Sequence, residues 1–123
     1  MLLGLDISTS ITGATILDTS GKLVYCESWD MRNKKYFPSL FDKARFIKNK
    51  IWELDDRFSI NHVYVEQSLQ SFRSGFSSAK TLSTLSRFNG IVSWFCYDIF
   101  KIEPTYIAAS SARKKCGISI PRG

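Results

Sequence analysis

Six apolar residues at helical spacing, Leu40, Ala44, Ile47, Ile51, Leu54 and Phe58, stand between two stretches that read as β-structure, and this arrangement constrains the fold most. Spacings of four and three put these side chains on one face of an amphipathic helix opened by Pro38-Ser39. The outer face, with Asp42, Lys43, Lys48, Lys50 and Glu53, reads as solvated surface. Upstream, the apolar and β-branched clusters Leu2–Ile7, Ile11–Leu17 and Leu23–Trp29 read as short strands. Ser8-Thr9-Ser10 separates the first two, and Asp18-Thr19-Ser20-Gly21 is a hairpin turn before the third. Links this short give an antiparallel meander, because parallel pairing needs a crossover of about a dozen residues. The helix is such a crossover, so Val63-Tyr64-Val65-Glu66 is expected as a buried strand parallel to the first.

Further along, Met31–Phe37 is polar and basic, and Gln67–Ser77 reads as a serine-rich loop. Ser78–Phe100 carries Leu82, Leu85, Phe88, Ile91, Val92, Phe95, Cys96 and Ile99 at helical spacing, with Gly90 permitting close approach to a neighbouring element. Pro104–Ala108 is a last strand, and Ser110–Lys115 begins a short helix capped by Ser110. The order βββαβαβα predicts a single α/β domain, a mixed sheet flanked by helices. The length of 123 residues and 44% hydrophobic content suit one modest core. No stretch reaches the roughly 18 consecutive apolar residues of a membrane span, and Asp6 comes too early for a signal peptide, so a soluble intracellular protein without a membrane partner is expected. Three widely spaced cysteines and one histidine argue against a disulfide scaffold or a zinc finger. Seventeen Lys and Arg against eleven Asp and Glu leave a net charge of +6, a mild bias toward anionic partners.

Two acids stand out. Asp6 lies in an apolar strand, where an ionised carboxylate is unfavourable by several kcal/mol unless paired or bound to a cation. Glu66 ends the fourth strand in the same way. If these strands are adjacent and parallel, both carboxylates emerge at the sheet end where open α/β sheets place ligands. Two hard oxygen donors suit Mg²⁺ or Mn²⁺; the plainer alternative is that each acid meets only water or a basic side chain. The turn Ser8-Thr9-Ser10 directly after Asp6 offers hydroxyl and N–H donors to phosphate oxygens, although a turn between two strands needs no ligand.

Several pieces together resemble the RuvC family of Holliday junction resolvases, which have the ribonuclease H-like fold. They are Gly4-Leu5-Asp6-Ile7-Ser8 with Thr12-Gly13, Val63-Tyr64-Val65-Glu66-Gln67, Ala79-Lys80 leading to Arg87-Phe88-Asn89-Gly90, and Ser111-Ala112-Arg113-Lys114-Lys115-Cys116-Gly117. The acid-Gln pair after an apolar strand is the most specific of them. The resemblance implies a homodimeric endonuclease that cuts branched DNA by two symmetric nicks. It implies that Asp6 and Glu66 are metal ligands in a site taking two Mg²⁺ or Mn²⁺ ions, with Asp6 central and Glu66 on the second metal. It places Lys80 and the run Arg113, Lys114, Lys115 against DNA, and it gives an aromatic residue just after the glutamate a stacking role. Leu69 stands at the nearest spacing here, so that role passes to Phe72 or Phe76 beside Arg73 in the loop. The family dimerises through the region of the Ser78–Phe100 helix, whose Leu82, Leu85, Phe88, Val92 and Phe95 serve either a partner or the core.

The chain departs from the family in one respect. Two further carboxylates are expected from a C-terminal helix, yet none of Asp18, Glu27, Asp30, Asp42, Glu53, Asp55, Asp56, Asp98 and Glu103 follows the last strand. The match runs to Gly117 and stops, so residues 1–123 are expected to be a C-terminally truncated RuvC-like domain that by itself cleaves DNA poorly or not at all. The alternatives are a catalytically incomplete branched-DNA binding module and an actin-like ATPase half-domain, which shares the Asp motif. The expected location is the cytoplasm of a bacterium or phage-infected cell.

Overall fold

A computed structural model of the chain describes residues 1–67 and 79–108. In chain order its elements are β1 (Leu2–Asp6), β2 (Ile11–Leu17), β3 (Leu23–Asp30), α1 (Leu40–Arg57), β4 (His62–Gln67), α2 (Ala79–Phe100) and β5 (Thr105–Ala108). The strands form one sheet in the order β3-β2-β1-β4-β5. β1 and β3 are antiparallel to β2, whereas β4 is parallel to β1 and β5 to β4. This is the mixed sheet that the short links and the helical crossover require. The loop expected at Gln67–Ser77 lies outside the described residues from Ser68 onward, and so does the short helix expected at Ser110–Lys115.

Each element has a local cause. Asp18 Oδ1 accepts from the N–H groups of Ser20 and Lys22, both at 2.9 Å, and Gly21 at φ 86° supplies the left-handed residue that closes the β2–β3 turn. Ser39 caps α1: its hydroxyl accepts from Asp42 N–H, and the Asp42 carboxylate accepts from Ser39 N–H, each at 3.2 Å. The Met1 carbonyl accepts from Asn61 N–H at 2.8 Å, pinning the start of β4 beside that of β1.

Burial alternates along β1, where Leu3 and Leu5 face inward while Gly4 and Asp6 do not. Leu3, Leu5, Val63 and Val65 share one core with Ala44, Ile47, Ile51 and Leu54 of α1 and with Phe88, Val92 and Cys96 of α2. Both helices therefore pack on one face of the sheet, and each large apolar side chain buried there contributes about 1.5–3 kcal/mol. Burial also pushes the Cys96 thiol up to about 12, leaving it an inert core residue. Along its other flank α1 is tied to β3 by Lys50 Nζ on Glu27 Oε1 at 3.1 Å and by the edge-to-face pair Tyr25–Phe58 at 5.7 Å.

The structure corrects three expectations. Met31, placed in a polar stretch by its neighbours, is fully buried in the apolar core, and its N–H donates to the Ser10 carbonyl at 2.8 Å. Gly90 is exposed, and a Cβ there would meet nothing within 4 Å, so no close approach demands it. In the apolar stripe of α2, Phe88 and Val92 are wholly internal, while Leu82, Leu85 and Phe95 are half-buried. The large apolar side chains that α2 exposes are Trp94 and Tyr97, whose rings stand 5.8 Å apart.

Candidate functional site

Asp6 is the last residue of β1, and it pairs with Gly13 of β2 on one side and with Glu66 of β4 on the other. Directly paired residues on adjacent strands project from the same face, and neighbouring strands lie about 4.8 Å apart. Asp6 and Glu66 are therefore side by side at the C-terminal ends of two parallel strands, on the face opposite the helices. This differs from the environment inferred from the apolar run alone. Asp6 is exposed and Glu66 half-buried, because the apolar neighbours Leu5, Ile7 and Val65 point into the core on the other face.

Gly13 stands next to Asp6. A Cβ built there would stand 3.8 Å from the Asp6 Cβ, an ordinary contact, so crowding does not force glycine.

The turn after Asp6 is held from within. Thr12, fully buried, donates its hydroxyl to the Ser8 carbonyl at 2.9 Å and accepts from Ser8 N–H at 3.3 Å. Ser10 N–H donates to Ser8 Oγ at 3.1 Å, and the Ser8 and Ser10 hydroxyls are 3.0 Å apart. The Ser8 and Ser10 amides are thus engaged within the turn, and their two hydroxyls are bonded to each other. Lys43 of α1 donates its ammonium to the Thr9 carbonyl, clamping the helix N-terminus to this turn.

Lys80 is exposed in the first turn of α2. Since α2 leads through residues 101–104 into β5, which starts beside Tyr64, it runs antiparallel to β4 and β5, and Lys80 lies at the same end of the sheet as the two acids. Phe72, Arg73 and Phe76, and likewise Arg113, Lys114 and Lys115, lie outside the described residues. Among the described residues no group of three or more His, Cys, Asp or Glu is placed to hold a metal ion, so the acids brought together are Asp6 and Glu66. No helix among them is long and apolar enough to cross a membrane.

One basic segment at this end holds Arg32, Lys34 and Lys35, which the sequence marks only as weaker DNA-contact candidates than Arg113, Lys114 and Lys115. Between β3 and α1, Arg32 grips Asp30 through Nε on Oδ1 at 2.9 Å and an NH2 group on Oδ2 at 2.7 Å, which holds the Asp30 carboxyl down at about 2. Beyond the pair, Lys34, Lys35 and Tyr36 are exposed. The signal available in the sequence was a tyrosine inside a basic run.

No protein-family profile matches the chain, and no curated protein sequence is similar to it. Among solved structures, Thermus thermophilus RuvC in complex with a Holliday junction substrate superposes with a TM-score of 0.71 at 11% identity, covering 92% of this chain and 67% of that one. The chain has a RuvC-like fold. A further Thermus thermophilus RuvC structure aligns over 94% of this chain and 88% of its own at 12% identity, with a TM-score of 0.44. At such identities the likeness is one of architecture: the five-stranded mixed sheet with two helices is the ribonuclease H-like arrangement expected of a RuvC-like chain.

Proposed function

We propose that this chain is the nuclease core of a metal-dependent endonuclease acting on Holliday junctions or other branched DNA. The observation that carries the reading is the register Asp6↔Glu66, which sets two carboxylates side by side at the ends of parallel strands in a RuvC-like fold. The solved relative is bound to a Holliday junction substrate, which supports the choice of DNA.

The donor set fits Mg²⁺ or Mn²⁺, since carboxylate oxygens are the hard ligands these ions prefer. Asp6 and Glu66 would hold them. A divalent ion held by these two carboxylates would supply Lewis acidity, lowering the pKa of an attacking water and offsetting charge on the leaving 3′ oxygen of the phosphodiester. The chain's own residues do the positioning. β1 and β4 fix the spacing of the carboxylates, and Thr12 holds the hydroxyl turn that follows. Lys80 adds a cation at the same end for the DNA backbone. A homodimer would match the symmetry of a four-way junction, and the exposed Trp94 and Tyr97 on α2 supply an apolar surface for it.

A second reading, a branched-DNA binding module without catalysis, draws on the presence of two rather than three or more metal-competent groups among the described residues. Gel shift in Ca²⁺ with four-way, splayed and linear duplexes tests the choice of substrate. The proposal requires the four-way junction to bind tightest; equal affinity for linear duplex contradicts it. Mg²⁺-dependent nicking of the bound junction, abolished by Asp6→Asn, then separates the nuclease from the module.

A further inference from the structure

We propose that the turn between β3 and α1, with Lys34, Lys35 and Tyr36 at its tip, is a second DNA contact that takes an unpaired nucleotide close to the carboxylate site. The inference rests on the branched-DNA reading above and extends it to residues which neither the resemblance nor the paired acids implicate.

Its position comes from the sheet. β3 runs parallel to β1, and the row Glu66, Asp6, Gly13, Ser28 crosses four strands, so the chain leaves β3 two residues beyond that row. Two strand spacings at about 4.8 Å, together with two residues at about 3.3 Å each along β3, put the root of the turn about 12 Å from Asp6. Duplex DNA rises about 3.4 Å per base pair along its axis, so DNA held at the acids comes level with the turn within about three to four base pairs.

Its chemistry is basic and aromatic. Tyr36 is 67% exposed, and Lys35 Nζ stands 5.8 Å from the centre of its ring. Asp30 is neutralised by Arg32, and neither Lys34 nor Lys35 forms an ion pair among the described residues, so the tip carries their two charges uncompensated. Beside it lies an open cleft of about 570 Å³ lined by Asp30, Arg32, Asn33, Tyr36 and Phe37, large enough for a base. A base stacked on Tyr36 would turn its edge toward the Asp30–Arg32 pair while the lysines meet the adjoining phosphates.

The turn is also built in advance. The Asn33 carbonyl accepts from the N–H groups of Tyr36 at 3.1 Å and Phe37 at 2.9 Å, and Asn33 Oδ1 accepts from Lys35 N–H at 3.0 Å. Phe37 packs edge-on against Phe46 of α1 at 5.2 Å, anchoring the base of the turn to the core. A fixed backbone presenting an exposed ring and two ammonium groups without ion-pair partners among the described residues binds with little ordering penalty.

Fluorescence anisotropy in Ca²⁺ on the full chain, with a four-way junction and a ten-nucleotide oligothymidylate as probes, tests this. For Lys34→Ala/Lys35→Ala the slope of log affinity against log salt should become shallower by about 1.8, as two lost phosphate contacts require. Tyr36→Ala should weaken oligothymidylate binding about fivefold or more and leave the salt slope unchanged. If the wild-type chain binds the junction and both variants match its affinity and slope, the turn is not a contact and this inference falls alone. If the wild-type chain binds neither probe, the branched-DNA reading falls and takes the inference with it. All three side chains are exposed, and matching circular dichroism melts establish that the variants are folded.

Discussion

At the scale of single residues, the function proposed depends on pairs. Asp6 and Glu66 owe their pairing to register: a slip of one residue between β1 and β4 would carry one of them to the face covered by helices. Asp30 and Arg32 are a pair of another kind, and their proton linkage is measurable. The Asp30 carboxyl is held at about 2 against an ordinary 3.8. Because the folded value is depressed, the pair's contribution is complete above the ordinary value and is lost as pH falls through the folded one, the window from about 4 to about 2. Urea unfolding across that window should show the wild type losing more stability than Asp30→Asn, and equal losses would contradict the pairing. The effect is expected to be small, since both groups are solvent-exposed.

At the scale of elements, α1 shows how much a sequence can carry. Pro38-Ser39 before a four-and-three repeat was sufficient to place the cap and the buried face, and the reciprocal Ser39–Asp42 bonds are the device those residues imply. Ser39→Ala should destabilise the protein by about 1 kcal/mol in urea unfolding, and no change would show that the cap contributes nothing. α2 was less legible. Its spacing identified an apolar stripe, but periodicity gives a direction around the helix and not what stands there. Phe88 and Val92 meet the sheet and α1, while Trp94 and Tyr97, which the stripe omitted, are left outside. If this outer pair forms the dimer contact, sedimentation should find the wild type dimeric and Trp94→Ser/Tyr97→Ser monomeric. A monomeric wild type at high concentration would contradict a dimer.

At the scale of the whole molecule, the helical crossover fixed the adjacency of β1 and β4, and adjacency brought the two acids to one end of the sheet. The resemblance in short motifs supplied the ribonuclease H-like architecture, which the superposition on RuvC bears out at 11% identity. The exposure of Asp6 was not legible, because a strand's apolar run does not reveal which face its last residue takes. The β3–α1 turn was legible only in part: Arg32, Lys34 and Lys35 stand out as a basic run, but their place at the end of the sheet that carries Asp6 follows only from the register of β1, β2 and β3.

The proposed function turns on one requirement, that the paired carboxylates of Asp6 and Glu66 bind a divalent cation. Titration of the chain with Mn²⁺, followed by electron paramagnetic resonance, tests it directly. The wild type should bind Mn²⁺, and Asp6→Asn and Glu66→Gln should each weaken binding about tenfold or more, a loss of about 1.4 kcal/mol, with unchanged melting curves. Mn²⁺ affinity identical in the wild type and both variants would contradict the account.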